Sequence, residues 1–333
     1  MTPPDAPVEG FRLTAIAPRA WQHPADRAAT AALASIPYLD RVVRTLIELG
    51  YERALRQASL GASVRLGERQ LPEVWRDHVF AFTTLDVTPI APLHVTHDPW
   101  ANAVAIGARQ PIVVVHSELL ELLDGPQRRA VFAHEAAHIL SDHQLYRTAL
   151  QILLRLGDRA GVPLPLRPVR TALLEWHRAT ELSCDRAAAL ATRDPLAVCR
   201  ALMVVAAGTM ADRLDLDAFL AQAAEYAEGG GGLERLTRLM LDLGVTHPLP
   251  VRRARELMRW VRAGEFDRIV AGDYPRRDDP VSPRAEAGDA VAFYAERFRE
   301  AFRDAGETIA SAGVQLGDWL RQARDRLDAD GGS

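Results

Sequence analysis

Apolar residues early in the chain recur at helical spacing. Ile36, Leu39, Val42, Val43, Leu46 and Ile47 fall three or four apart, which predicts helices between Asp26 and about Ser59 after a Pro- and Ala-rich extended arm. LPEVWRDHVFAFTTL, from Leu71, predicts another. The period then changes. PLHVTHD alternates as a half-buried strand does, ANAVAIG (Ala101 to Gly107) predicts a second strand, and PIVVVHS (Pro111 to Ser117) a third that is buried on both faces. Gly125 and Pro126 open a long helix that carries AVFAHEAAHILSDHQLYRTALQILL as one piece, with proline where its missing N–H is harmless. After GVPLPLRP a second long helix is expected from about Val169 to Ala191, and more helices lie on either side of the glycine run Gly229 to Gly232.

The pattern therefore predicts an α+β fold, predominantly helical, with a small β-sheet. Residues 1–60 are expected to supply an arm and helices packed on the core, 61–273 the main domain, 274–289 a linker, and 290–327 a C-terminal amphipathic helix. That last helix places Val291, Phe298, Phe302, Ile309, Leu316 and Leu320 on one face, suited to packing on the body or to peripheral or partner contact.

Composition narrows the function classes. With 333 residues and 48% hydrophobic positions, the chain can bury a full core. Forty basic residues stand against 44 acidic ones, a balance that argues against nucleic acid as a partner. Two cysteines make no disulfide framework, and the first 30 residues hold no unbroken apolar run after a basic start; together they predict a cytoplasmic protein. The best candidate for a membrane span, Thr148 to Leu166, is interrupted by Arg155, Asp158 and Arg159, so no span is expected.

Chemistry concentrates in HEAAHILSDH, His134 to His143. On a helix, positions i and i+4 share a face, so His134 and His138 can direct both imidazoles at one ion. Glu135, turned by about 100°, can act as general base on a water held there. The flanking Ala133, Ala136, Ala137, Ile139 and Leu140 make the helix apolar nearly all round and hence buried, where unpartnered His and Glu would be costly and a metal is the simplest compensation.

A third ligand is needed. Ser141 and Gln144 stand where a metzincin carries glycine and histidine, which removes that class. His143, five residues past His138, points about 140° away on a continuous helix and is expected to be a solvated or capping residue. ELSCD offers Glu181 and, one turn later on the same face, Asp185 as an outer hydrogen-bond partner; His177, one turn before Glu181, is a rival ligand. Cys184 lies about 60° off that face and reads as a buried thiol.

ANAVAIG, HEAAHILSDH, ELSCDRAA and THPLPVRR occur in an order that resembles the HtpX and CAAX-prenyl-protease family of zinc metallopeptidases, including its soluble minigluzincin-like members, over about Leu93 to Arg255. The resemblance implies a gluzincin fold, one Zn²⁺ held by His134, His138 and Glu181, Glu135 as general base and Asp185 as the carboxylate behind the ligands. It implies also that His247 is a donor near the substrate carbonyl, that Arg253 lies in the substrate site, and that the strand at Asn102, Ala103, Val104 and Ala105 is the edge on which an extended peptide is laid. The expected activity is that of a zinc metalloendopeptidase acting on extended or unfolded polypeptide. The alternative is a catalytically silent or autoinhibited zinc-binding scaffold. Many relatives carry membrane-spanning hairpins that this sequence lacks, so membrane-protein substrates do not transfer.

Overall fold

The computed structural model describes residues 10–36, 52–97, 102–160, 167–228 and 249–280, with positions 39, 43, 44 and 47 besides. The glycine run at 229–232, His247, Trp100, residues 281–289 and the C-terminal segment 290–327 lie outside the described residues.

Helix α1 (Pro24–Ala34) starts at a proline and is capped by His23, whose Nδ1 accepts the Ala25 N–H. Helix α2 (Glu52–Gly61), strand β1 (Val64–Arg65) and helix α3 (Pro72–Thr84) follow. Strands β2 (Leu93–Thr96), β3 (Ala103–Ile106) and β4 (Ile112–His116) match the three that alternation predicts; the two-residue β1 is too short to leave a periodic signal. Sheet order is β1-β2-β4-β3, with β2 and β4 parallel and the other pairings antiparallel. The continuous apolar run Ile112 to Val115 is buried at the centre, and β3 is an edge strand.

After α4 (Ser117–Leu122), Asp124 and Gln127 form a capping box that starts α5 (Gly125–Leu140). Helices α6 (Gln144–Ala160), α7 (Arg167–Thr192), α8 (Pro195–Ala207), α9 (Leu216–Glu228), α10 (Pro250–Arg262) and α11 (Glu265–Val270) complete the order. Small residues let α5 and α7 approach closely. Ala130, Ala133, Ala136 and Ala137 on one share a core with Cys184, Ala187, Ala188 and Ala191 on the other. A second apolar cluster gathers α1, α6 and the first half of α7 around Leu33, Leu150, Leu173 and Trp176. Pro195–Arg213 is long and apolar enough to cross a membrane by composition alone, but Val198, Cys199, Leu202, Met203 and Val204 of it lie in the core.

The long helix expected through HEAAHILSDHQLYR is in fact broken. Helix α5 stops at Leu140, Asp142 takes a left-handed φ of +56°, and α6 starts at Gln144. Aspartate tolerates that region better than branched residues, and the turn carries His143 back into the interior instead of out to solvent. The N-terminal segment is anchored as well. Leu13, Ile16 and Trp21 are buried, and residues 275–277, expected to open a linker, bond to it through Ala17 N–H to Pro275 O at 2.9 Å and Arg277 N–H to Ala15 O at 2.7 Å.

The turn gives a direct expectation. Asp142→Gly leaves stability within about 1 kcal/mol of the parent and Asp142→Val lowers it by about 1–2 kcal/mol in urea unfolding, since only the branched residue meets the left-handed penalty.

Candidate metal centre

Helix α5 presents His134 and His138 on one face, and α7 brings Glu181 against them. His138 Nε2 lies 3.2 Å from His134 Nε2 and 3.0 Å from Glu181 Oε1, and His134 Nε2 lies 3.4 Å from Glu181 Oε2. All three residues are buried. Zinc bonds of about 2.0–2.1 Å in a tetrahedron set neighbouring donors about 3.3–3.4 Å apart, so this triangle matches the chemistry of one small divalent ion. Cys184 is close enough to be a rival: its sulfur and the two histidine nitrogens lie within 4.8 Å of one another. Burial, with Glu181 beside it, pushes the Cys184 thiol well up in the metal-free protein.

The outer nitrogen of each histidine is also engaged. His134 Nδ1 is 3.1 Å from Asp185 Oδ1, and Asp185 is gripped by Arg253 through Nε to Oδ2 at 2.8 Å and a terminal nitrogen to Oδ1 at 2.6 Å. A proton on Nδ1 donated to Asp185 leaves the Nε2 lone pair facing the triangle. Arg253 therefore lies behind the donors, its other terminal nitrogen 3.0 Å from Glu181 Oε2, so the residue expected in the substrate site has its guanidinium paired with two carboxylates. His138 Nδ1 is 3.1 Å from His143 Nδ1, although His143 was expected in solvent. His177, the rival ligand, has Nε2 3.6 Å from Glu181 Oε1 and its ring centroid 6.0 Å from that of His138.

Glu135 faces β3. Its Oε2 accepts the Ala105 N–H at 2.7 Å and an Arg147 N–H at 2.7 Å, with a second Arg147 nitrogen 3.4 Å from Oε1. Ala103 N–H is bonded to Asn102 Oδ1 at 2.9 Å, while Val104 alternates to the other face of the strand. Arg147 is missing from the sequence reading. It lies 12 residues beyond Glu135, and only the turn at Asp142 folds α6 back far enough to pair them.

Protonation follows from these contacts. Burial opposes charge on His134, but the Glu181 charge and the hydrogen bonds to Asp185 and Glu181 prevail and raise it from 6.5 to about 9. His138 goes the other way, held well below the usual range by burial and by Arg147. Without metal, one proton therefore sits on His134 between two carboxylates.

The sequence profile of Peptidase family M48 matches residues 78–261, over half of the 333 positions. The plastoglobule-localized metallopeptidase 48, chloroplastic, of Arabidopsis thaliana is 36% identical in an alignment covering 75% of this chain and 74% of that protein. No solved structure matches.

Two outcomes follow. A metal must displace the His134 proton, so affinity measured by chelator competition rises with pH, by up to about tenfold per unit, until about pH 9 and flattens above it. Arg147→Met strands a buried carboxylate and costs about 3–5 kcal/mol in chemical unfolding, of which Glu135→Gln in the same chain restores a large part.

Proposed function

The chain belongs to peptidase family M48, and from that premise we propose that it is a zinc-dependent endopeptidase that cleaves extended or unfolded polypeptide laid along β3. The observation that carries this reading is the convergence of His134 Nε2, His138 Nε2 and Glu181 within 3.4 Å, beside a glutamate on the adjacent turn position. Asp185 and Arg253 hold His134 in the tautomer that offers Nε2, and Glu181 closes the set from α7. When bound, the ion supplies Lewis acidity toward a water and a substrate carbonyl.

Everything else is the work of this chain. Glu135 takes a proton from the attacking water at its carboxylate and delivers it to the nitrogen of the departing amine. Arg147 holds that carboxylate in place and aimed, through two N–H donors. The β3 edge offers its backbone to an extended strand and so selects conformation over side chain. Such a strand competes with Glu135 for the Ala105 N–H and with Asn102 for the Ala103 N–H, so binding of substrate and release of the base from the sheet edge become one event. His247, outside the described residues, is given the donor role toward the developing oxyanion by its place in THPLPVRR. A reducing, cytoplasmic setting belongs to the same reading, supported by Cys184 and Cys199, which are both free.

In a casein assay, Glu135→Gln retains its metal while turnover falls at least about 100-fold, whereas Glu181→Ala loses metal and activity together. A Glu135→Gln protein as active as the parent overturns the mechanism.

A further inference from the structure

Beyond the three donors lies a second buried line of polar groups that peptide hydrolysis does not use directly. It begins at His138 Nδ1, 3.1 Å from His143 Nδ1. It continues from His143 Nε2 to Asp26 Oδ2 at 3.5 Å. Asp26 belongs to α1, more than 100 positions away in sequence, and is fully buried. Its Oδ2 accepts the Ser183 hydroxyl at 2.7 Å and its Oδ1 the Thr30 hydroxyl at 3.2 Å. Ser183 Oγ in turn accepts the His23 N–H at 2.9 Å, and Thr30 Oγ1 accepts the Trp176 indole N–H at 3.0 Å. The Trp176 ring stands edge-on to His143, with centroids 5.6 Å apart and planes at 89°, and fixes the imidazole plane.

The donor directions in this line have one consistent solution. If His138 gives its Nε2 lone pair to an ion, its proton is on Nδ1 and His143 Nδ1 must accept it. The His143 proton is then on Nε2, which lies 3.5 Å from Asp26 Oδ2 as a charge contact without a formed hydrogen bond, and the two hydroxyls both donate to the same carboxylate. A fully buried carboxylate is costly unless its environment needs the charge. Here it terminates a chain that leaves only the lone pair of His138 turned toward the triangle. His134 has the same logic in shorter form, through Asp185 directly.

We propose that His143 and Asp26 are positioning residues for the metal ligand His138, so that α1 is a working part of the metal centre and not only a cover over it. The proposal rests on the reading of His138 as a ligand. A structural role alone would make the same contacts matter for the stability of metal-free protein and leave metal affinity unchanged.

The test uses the full chain and the variants Asp26→Asn, His143→Asn and His143→Leu, with zinc affinity read by chelator competition and the visible spectrum of the cobalt(II)-loaded protein as the signature of ligand geometry. Asparagine at 143 keeps an acceptor near the Nδ1 position and loses the reach to Asp26, so His143→Asn should resemble Asp26→Asn. His143→Leu removes the acceptor and should be weakest, about 10–100-fold below the parent, with altered cobalt bands. Adding Asp26→Asn to His143→Leu should change affinity less than about twofold, because the carboxylate acts through the imidazole. Variants that fold, bind zinc as the parent does and keep its cobalt spectrum overturn the proposal alone. A parent chain that binds neither metal overturns the metal reading as well. If His143→Leu does not fold, the two asparagine variants decide the matter.

Discussion

Charge buried between two helices is the constraint around which this structure is organised. Helices α5 and α7 meet through buried alanines, and yet the same contact encloses His134, Glu135, His138, Glu181 and Asp185. None of these can be left alone in such a medium. His134 is answered within the pair by Asp185, and the other four from outside it: Asp185 and Glu181 by Arg253 of α10, Glu135 by Arg147 of α6, and His138 by His143 at the turn between α5 and α6. The surrounding helices are thus held to the site by electrostatics as well as by apolar packing, and their placement follows from what the two central helices must bury.

The resulting polarity runs one way. Outer carboxylates stand behind both imidazoles, Asp185 directly at His134 Nδ1 and Asp26 beyond His143 at His138 Nδ1, while the two Nε2 atoms face each other and Glu181 at the centre. Glu135 is kept apart from that set, tied to the sheet edge and to Arg147. A metal ion and a peptide strand are complementary to these two arrangements, one to the gathered donors and the other to the β3 backbone that Glu135 now occupies.

Much of this was legible in the chain and some was not, for identifiable reasons. The helices and the three strands came from periodicity, and the facing of His134 and His138 from a spacing of four. Glu181 and Asp185 were readable because they repeat that spacing on a second helix. Arg147 and His143 were hidden by one residue: Asp142, whose left-handed conformation breaks a helix that apolar periodicity alone would continue. With α5 continuous, His143 faces solvent and Arg147 points away from Glu135. With the break, both turn inward. Asp26 has no local signal toward the site, since besides Thr30 on its own helix its partners are 117 and 157 positions distant. Arg253 was recognised by motif, but its pairing with two carboxylates was not, because a motif gives no direction for a guanidinium.

The central claim is that Glu181, and not the neighbouring Cys184, completes the donor set with the two histidines. X-ray absorption fine structure of the zinc-loaded chain tests it most directly. The account predicts a first shell of nitrogen and oxygen alone, at about 2.0–2.2 Å, with the outer scattering of two imidazoles. A sulfur scatterer at about 2.3 Å would put Cys184 on the metal and contradict it.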